Sequence, residues 1–198
     1  MTLANKLTFL RVILTPVFFV VYFLPGFFPA WFRHGSAWTI PVLWLVFILS
    51  EITDLFDGLA ARKLNQTSDF GKLFDPFADT LMQITCFLCF VIDGIFPSIL
   101  FLLVIYRELG ILFIRNLMLR KGISLGARMS GKIKTIAYII AGGAALLTVS
   151  IQRLEIHDFL FPHFKTGALV IFIISVVISI VSFIDYLIVF LKAENTAK

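Results

Sequence analysis

Asp54, Asp57, Asp75 and Asp79, with Glu51 just ahead of them, interrupt two otherwise apolar stretches of the chain. Asp54 and Asp57 stand at i, i+3 and Asp75 and Asp79 at i, i+4, so on helices each pair shares one face. The loop between the stretches is short, which makes the two acidic faces antiparallel neighbours. Two like charges about 4 Å apart repel by roughly 4 kcal/mol at an effective dielectric near 20, and four carboxylates make several such pairs. Solvated helix-end acids or salt bridges are the competing reading. Against it, the nearby cations Arg62, Lys63 and Lys72 sit at helix ends beyond the acids, too few to neutralise them and bind a substrate as well. Divalent cations resolve the repulsion. An all-oxygen ligand set without Cys or His favours Mg2+ or Mn2+ over zinc, and ionisable groups within membrane segments mark functional sites. The helices are also bare beside the carboxylates: Gly58 follows Asp57, Ala61 lies one turn on, and Gly71 opens the second stretch. A flat or bulky group can approach the backbone there.

The elements that must hold these acids are membrane helices. Of the 198 residues, 60% are hydrophobic and 23 are phenylalanine, and the mean hydropathy is +0.99; a soluble domain is about half apolar. Apolar runs close to the roughly 20 residues needed to cross a bilayer recur along the whole length. Continuous runs such as Leu169 to Ile184 lack the alternation of a membrane β-barrel. Spans are expected at roughly 7–28, 38–62, 71–92, 98–119, 132–151 and 166–191. The fold expected is therefore an all-α integral membrane protein: a bundle of six transmembrane helices, one domain over residues 1–198, with a cytoplasm-facing active-site cavity. The first stretch carries Lys6 and Arg11 and has no small-residue cleavage site before Pro25, so it is expected to be retained as a helix.

An even number of spans places both termini on one side. That side collects the basic residues from Lys6 and Arg11 through Arg62, Lys63, Arg120, Lys121 and Arg128 to Lys192 and Lys198. The other side holds Arg33, Arg153 and Lys165, so the positive-inside rule puts the termini and the acids in the cytoplasm. The net charge of +5 then reports helix-end anchoring and contact with anionic lipid headgroups, not nucleic-acid binding. Pro16 is expected to kink the first helix, whereas Pro25 and Pro29 are expected after the first span, Pro97 in a short turn and Pro162 in an outer loop. Gly142 and Gly143, with Ala141, Ala144 and Ala145, thin the fifth helix for close backbone approach. Cys86 and Cys89 form a C-x-x-C inside an apolar run, where hydrocarbon replaces the electropositive setting of a redox thiolate; both read as small apolar residues. His34, His157 and His163 are scattered in or near the outer loops and read as surface residues, not a second metal site. Asp185 is expected to pair with a loop cation or to support helix packing.

The pattern Asp54-x-x-Asp57-Gly58-x-x-Ala61-Arg62, followed by Gly71-x-x-x-Asp75-x-x-x-Asp79, resembles at every fixed position the signature of the CDP-alcohol phosphotransferase family. The six-helix layout is similar too. The resemblance implies a cytoplasm-facing site in which the aspartates bind two metal ions, Mg2+ or Mn2+. It further implies that the CDP group of a lipid packs against Gly58, Ala61, Arg62 and Gly71, that CMP leaves, and that Asp79 serves as base while also touching a metal. The chemistry is coherent, since two metals can clamp a pyrophosphate while an alcohol attacks the lipid-side phosphorus in line.

Beyond the signature, the fourth segment carries Arg107-Glu108 and then Arg115, and the fifth opens with Gly131-Lys132-x-Lys134-Thr135. A buried arginine needs a partner or an anion. Adjacent helix residues point about 100° apart and face each other poorly, so partners other than Glu108 are expected for Arg107. A structural and a substrate-phosphate role both stay open for it. These runs, with Asn5-x-Leu7-Thr8-x-x-Arg11 and Asp185-Tyr186-Leu187, resemble the branch of the family whose acceptor is sn-glycerol 3-phosphate, although Thr80 stands where that branch usually carries lysine. The resemblance implies CDP-diacylglycerol as donor. Arg107, Arg115, Lys132 and Lys134 are expected to converge on the cavity and grip the acceptor phosphate. Inositol phosphate and serine are alternative acceptors in the same chemistry. A cation transporter is the rival of another class, and it calls for acids near the midplane of several helices, with broken helices or a repeated half. Neither feature is in the sequence. A homodimer is compatible with each reading.

Overall fold

The computed structural model describes residues 3–28, 36–63, 69–120, 129–156 and 159–196, without the side chains of 3–5, 55–63, 69–70, 72–73, 119–120 and 193–196. Every expected span is a helix: α1 (Leu3–Phe27), α2 (Thr39–Lys63), α3 (Asp69–Ile92), α4 (Ser98–Arg120), α5 (Met129–Arg153) and α6 (Leu160–Thr196). Among the described residues there is no strand. Stretches long and apolar enough to cross a membrane lie in α1 (Lys6–Phe27), α3 (Phe74–Ile92), α5 (Met129–Arg153) and α6 (Leu160–Lys192). The polarity of the other two has a visible cause. α2 turns acidic at Glu51 and Asp54, and α4 carries Arg107, Glu108 and Arg115 along its length. Outward-facing Ile13, Val17, Leu45, Ile99, Phe113 and Val177 are exposed, an apolar exterior suited to lipid.

The connection after α3 is a tight turn. Gly94 takes a positive φ of 68°, Gly94 N–H donates to Val91 O (2.9 Å) and Ile95 N–H to Phe90 O (2.9 Å). This Schellman ending satisfies the last carbonyls of α3, and Pro97 follows at once to start α4 in the opposite direction. The end of α5 repeats the pattern with Glu155 in the left-handed position (φ 53°), its N–H donating to Gln152 O (3.3 Å) and Ile156 N–H to Ile151 O (3.2 Å). Two expectations are corrected here. Pro25 lies in the last turn of α1, and Pro162 lies in the first turn of α6, which begins at Leu160 and shortens the connection from α5. A first-turn proline is tolerated because its missing N–H has no helical partner to lose. Pro29 lies outside the described residues.

The most extensive pairings join α5 to α6 and α1 to both α2 and α3. Phenylalanine fills the centre. Phe96 stacks on Phe172 with centroids 3.9 Å apart, and Phe87 meets Phe96, Tyr138 and Phe172 edge-on. Such stacked and edge-to-face ring packing locks the helices together. At the end of the bundle opposite the acids, Arg153 of α5 donates to Thr39 Oγ1 (2.7 Å) and Tyr22 O (2.8 Å), and Tyr22 donates to Asp93 Oδ2 (2.6 Å). This clasp ties α1, α2 and α5 to the turn after α3.

The two α5 glycines differ. A Cβ on Gly142 would stand 3.0 Å from the Phe47 ring of α2, whereas one on Gly143 meets nothing within 4 Å. Only Gly142 is therefore needed for close approach. Gly143→Ala is expected to stabilise the protein by about 0.5–1 kcal/mol through helix propensity. Gly142→Leu, which must displace the Phe47 ring, is expected to cost about 1–3 kcal/mol. Thermal denaturation in detergent measures both.

Candidate active site

One cavity of about 220 Å3 opens at the end of the bundle shared by the start of α1, α3 and α5 and the end of α2, α4 and α6. Its acidic wall is Glu51 and Asp54 from α2 and Asp79 from α3. Its basic wall is Arg107 and Arg115 from α4 and Lys132 and Lys134 from α5. Residues expected from widely separated stretches of sequence thus share one volume. Asp75 lies one turn before Asp79, outside the lining, and its Oδ1 accepts a hydrogen bond from Thr8 Oγ1 at 2.6 Å. The side chains of Asp57, Gly58, Ala61 and Arg62 lie outside the described residues, although their backbone belongs to α2. Gly71 is buried in the first turn of α3.

The expectation that only helix-end cations lie near the acids is overturned by α1. Arg11 is 2% exposed, and its Nη1 sits 3.2 Å from Asp54 Oδ1 and also contacts Asp79 Oδ1. Thr8 and Arg11 are one helical turn apart, so a single face of α1 reaches Asp75, Asp79 and Asp54. Among the described residues no three His, Cys, Asp or Glu side chains group into a ready metal-ligand set. The Arg11 guanidinium lies between Asp54 and Asp79, and the side chain of Asp57 lies outside the described residues. The donor chemistry nevertheless fits a hard divalent ion. Carboxylates from two helices converge on one positive charge, their side chains are about 39% exposed toward the cavity, and no Cys or His is among its described lining residues.

The basic wall divides in two. Arg107 Nη1 pairs with Glu108 Oε1 at 2.9 Å, Nε donates to Ser179 O at 3.2 Å and Nη2 to Ser182 Oγ at 3.1 Å. The adjacent-residue pair that helix geometry disfavours is therefore present, because α6 holds the other guanidinium edges and turns the fork toward Glu108. Lys134 Nζ lies 3.0 Å from the same Glu108 oxygen and donates to Gln83 Oε1 at 3.1 Å, over the Tyr138 ring. These two cations are buried and partnered. Arg115 and Lys132 differ. Lys132 is exposed, and Arg115 is held only by a 3.4 Å contact to Tyr186 Oη and by that ring, with its Nε buried and without a hydrogen-bond partner among the described residues. Tyr186 reaches this place because Gly131 is bare: a Cβ there would stand 3.2 Å from its hydroxyl.

Thr8, Arg11, Gln83 and Tyr186 were not identified as site residues from sequence. The i, i+3 spacing of Thr8 and Arg11 on one helix face was the available signal. Of the remaining polar residues, Asp185 accepts from Ser130 Oγ (2.7 Å) and so joins α6 to the start of α5. Cys86 and Cys89 are buried free thiols in the core, and Thr80 lines the cavity. His163 Nδ1 lies 2.9 Å from Phe159 O, while His34 and His157 lie outside the described residues.

A family model described as CDP-alcohol phosphatidyltransferase matches residues 1–189. The chain belongs to the CDP-alcohol phosphatidyltransferase family. Among its relatives, a CDP-diacylglycerol–glycerol-3-phosphate 3-phosphatidyltransferase of Treponema pallidum is 33% identical over 94% of this chain and 88% of its own length. The Bacillus subtilis protein of the same description is 37% identical over 73% of this chain and 76% of its own length. A probable phosphatidylglycerophosphate synthase of Mycobacterium tuberculosis is 30% identical over 93% of this chain and 79% of its own length. As a CDP-alcohol phosphatidyltransferase, the chain is a membrane transferase, and the joined acidic and basic walls are its candidate catalytic cavity.

Within that cavity Glu108 is the shared anion of two buried cations. Glu108→Gln leaves Arg107 and Lys134 uncompensated and is expected to destabilise the protein by about 3–5 kcal/mol. A lowered midpoint of thermal unfolding in detergent checks this; an unchanged midpoint would show that the pair carries no structural weight.

Proposed function

We propose that the chain transfers the phosphatidyl group of CDP-diacylglycerol to sn-glycerol 3-phosphate, giving phosphatidylglycerophosphate and CMP. The observation that carries this reading is the joining of a carboxylate wall and a cationic wall in one cavity, in a chain whose relatives bear the name of this reaction. The donor brings a pyrophosphate and the acceptor a second phosphate, so one site must handle two anions.

Two divalent ions, Mg2+ or Mn2+, held by Asp54, Asp57, Asp75 and Asp79, would supply the positive charge that offsets the donor pyrophosphate. The bare backbone at Gly58, Ala61 and Gly71, with Arg62 beside it, receives the CDP group. Arg115 and Lys132 bind the acceptor phosphate, Arg115 by parallel hydrogen bonds from its fork. Arg107 and Lys134, engaged with Glu108, Gln83 and α6, position this wall and add to its positive field. The acceptor hydroxyl oxygen attacks the lipid-side phosphorus, the bond from that phosphorus to the CMP oxygen breaks, and CMP departs with the electron pair. The hydroxyl proton passes to the Asp79 carboxylate. All six helices span the inner membrane in this reading, with the termini and the cavity cytoplasmic, and the chain can pair as a homodimer.

Inositol phosphate or serine as acceptor, or cation transport through the acidic cleft, are the readings this one must beat. Purified protein given CDP-diacylglycerol is expected to release CMP fastest with glycerol 3-phosphate, ahead of inositol 1-phosphate, serine and diacylglycerol. Arg115→Ala is expected to raise KM for glycerol 3-phosphate about tenfold or more, the equivalent of a lost charge-assisted hydrogen bond. Another preferred acceptor would reassign the substrate, and no CMP release with any acceptor would favour transport. Chelation of divalent ions is expected to abolish turnover and Mg2+ or Mn2+ to restore it, with Asp57→Asn not rescued by added substrate. Full turnover in excess chelator would rule out the two-metal site.

A further inference from the structure

The contacts of α1 with the acids carry a step beyond this assignment. Arg11 is almost wholly buried, yet its Nη1 contacts Asp79 and lies 3.2 Å from Asp54. One turn earlier Thr8 donates to Asp75 Oδ1 at 2.6 Å. α1 therefore supplies both a charge and a hydroxyl to carboxylates on two other helices. Without a positive charge between them, Asp54 and Asp79 would repel each other across a cleft that water screens poorly. A divalent ion and a guanidinium drawing on the same Asp54 and Asp79 oxygens repel each other, so the two compete for them.

We infer that Arg11 is the built-in counter-cation of the metal-free site and exchanges with the divalent ions as they bind. Arg11 is thus a positioning residue: it keeps the α2 and α3 carboxylates facing one point, and it leaves them when metal arrives. The exchange is a displacement of one ion pair by another, with no bond made or broken covalently. It rests on the proposal that these aspartates bind divalent metal. Arg11 already lines the cavity, so its guanidinium moves within that space without opening the bundle. Thr8, being neutral, stays on Asp75 throughout and fixes the register of α1 against α3.

Competition makes the result opposite to that of an ordinary ligand-supporting residue. Loss of a residue that merely orients metal ligands weakens metal binding, whereas loss of a competing cation tightens it. The test uses the full chain in detergent, stripped with chelator and titrated with Mn2+ alone, with free Mn2+ read by electron paramagnetic resonance and no substrate present. Arg11→Gln is expected to bind Mn2+ about tenfold tighter than the unaltered protein, since the exchange no longer gives up a charge-assisted hydrogen bond. In chelator its melting temperature is expected to fall, and Mn2+ to raise it by more than in the unaltered protein. Arg11→Lys keeps the charge but loses the planar fork that spans two carboxylates, so its affinity is expected in between, with the metal-free stability largely retained. Should Arg11→Gln not survive without metal, the intermediate tightening of Arg11→Lys carries the test. Mn2+ binding unchanged or weakened in the variants overturns the exchange and leaves the metal site standing. No Mn2+ binding by the unaltered protein removes the metal site and the exchange together.

Discussion

Carboxylates brought together at the mouth of a membrane bundle must be neutralised, and the arrangement of the helices around the cavity follows from that constraint. At an effective dielectric near 20 a pair of close like charges costs several kcal/mol, about as much as a whole small protein has to spare. Three helices share the solution. α2 and α3 present the acids, and α1 lies against both, with Arg11 between Asp54 and Asp79 and Thr8 on Asp75. The extensive contact of α1 with α2 and α3 is the packing counterpart of this electrostatic role.

Across the cavity the charge problem has the opposite sign and a different answer. Arg107 and Lys134 are buried, and Glu108 accepts from both while Gln83, Ser179 and Ser182 take the remaining donors. A satisfied network of this kind is rigid, because removing any member strands a buried partner. It links α3, α4, α5 and α6 and so sets the distance from the basic wall to the acids. Arg115 and Lys132 are left at its edge with bonding capacity for a solute. Four cations of similar appearance in sequence therefore have two kinds of surroundings.

The rest of the bundle holds these walls still. Ring packing among Phe87, Phe96, Phe172 and Tyr138 fills the space between α3, α5 and α6 and the start of α4. At the far end Arg153, Thr39, Tyr22 and Asp93 pin α1, α2 and α5 to the turn after α3 by hydrogen bonds. A cavity whose opposite walls come from separate helices needs such fixed points at the other end, since a small tilt of one helix is magnified along its length.

Much of this was legible in the sequence. Long apolar runs without alternation favour helices, so helix number, order and approximate bounds followed from hydropathy, and the i, i+3 and i, i+4 spacings placed the aspartates on shared faces. Glycine and proline were read less well: Pro25 and Pro162 belong to helix ends, and Gly143 is not at a contact. Those outcomes depend on what stands opposite, which local pattern does not encode. The same holds for charge. That Arg11, Arg107, Arg115, Lys132 and Lys134 are present was plain from the sequence, and that they should gather near the cavity was a fair expectation. Which is tied to Glu108, which stands between two aspartates and which stays outside both groupings was decided only by the tertiary structure. A cation's role is set by the nearest anion, and in a bundle that anion comes from a helix distant in the chain.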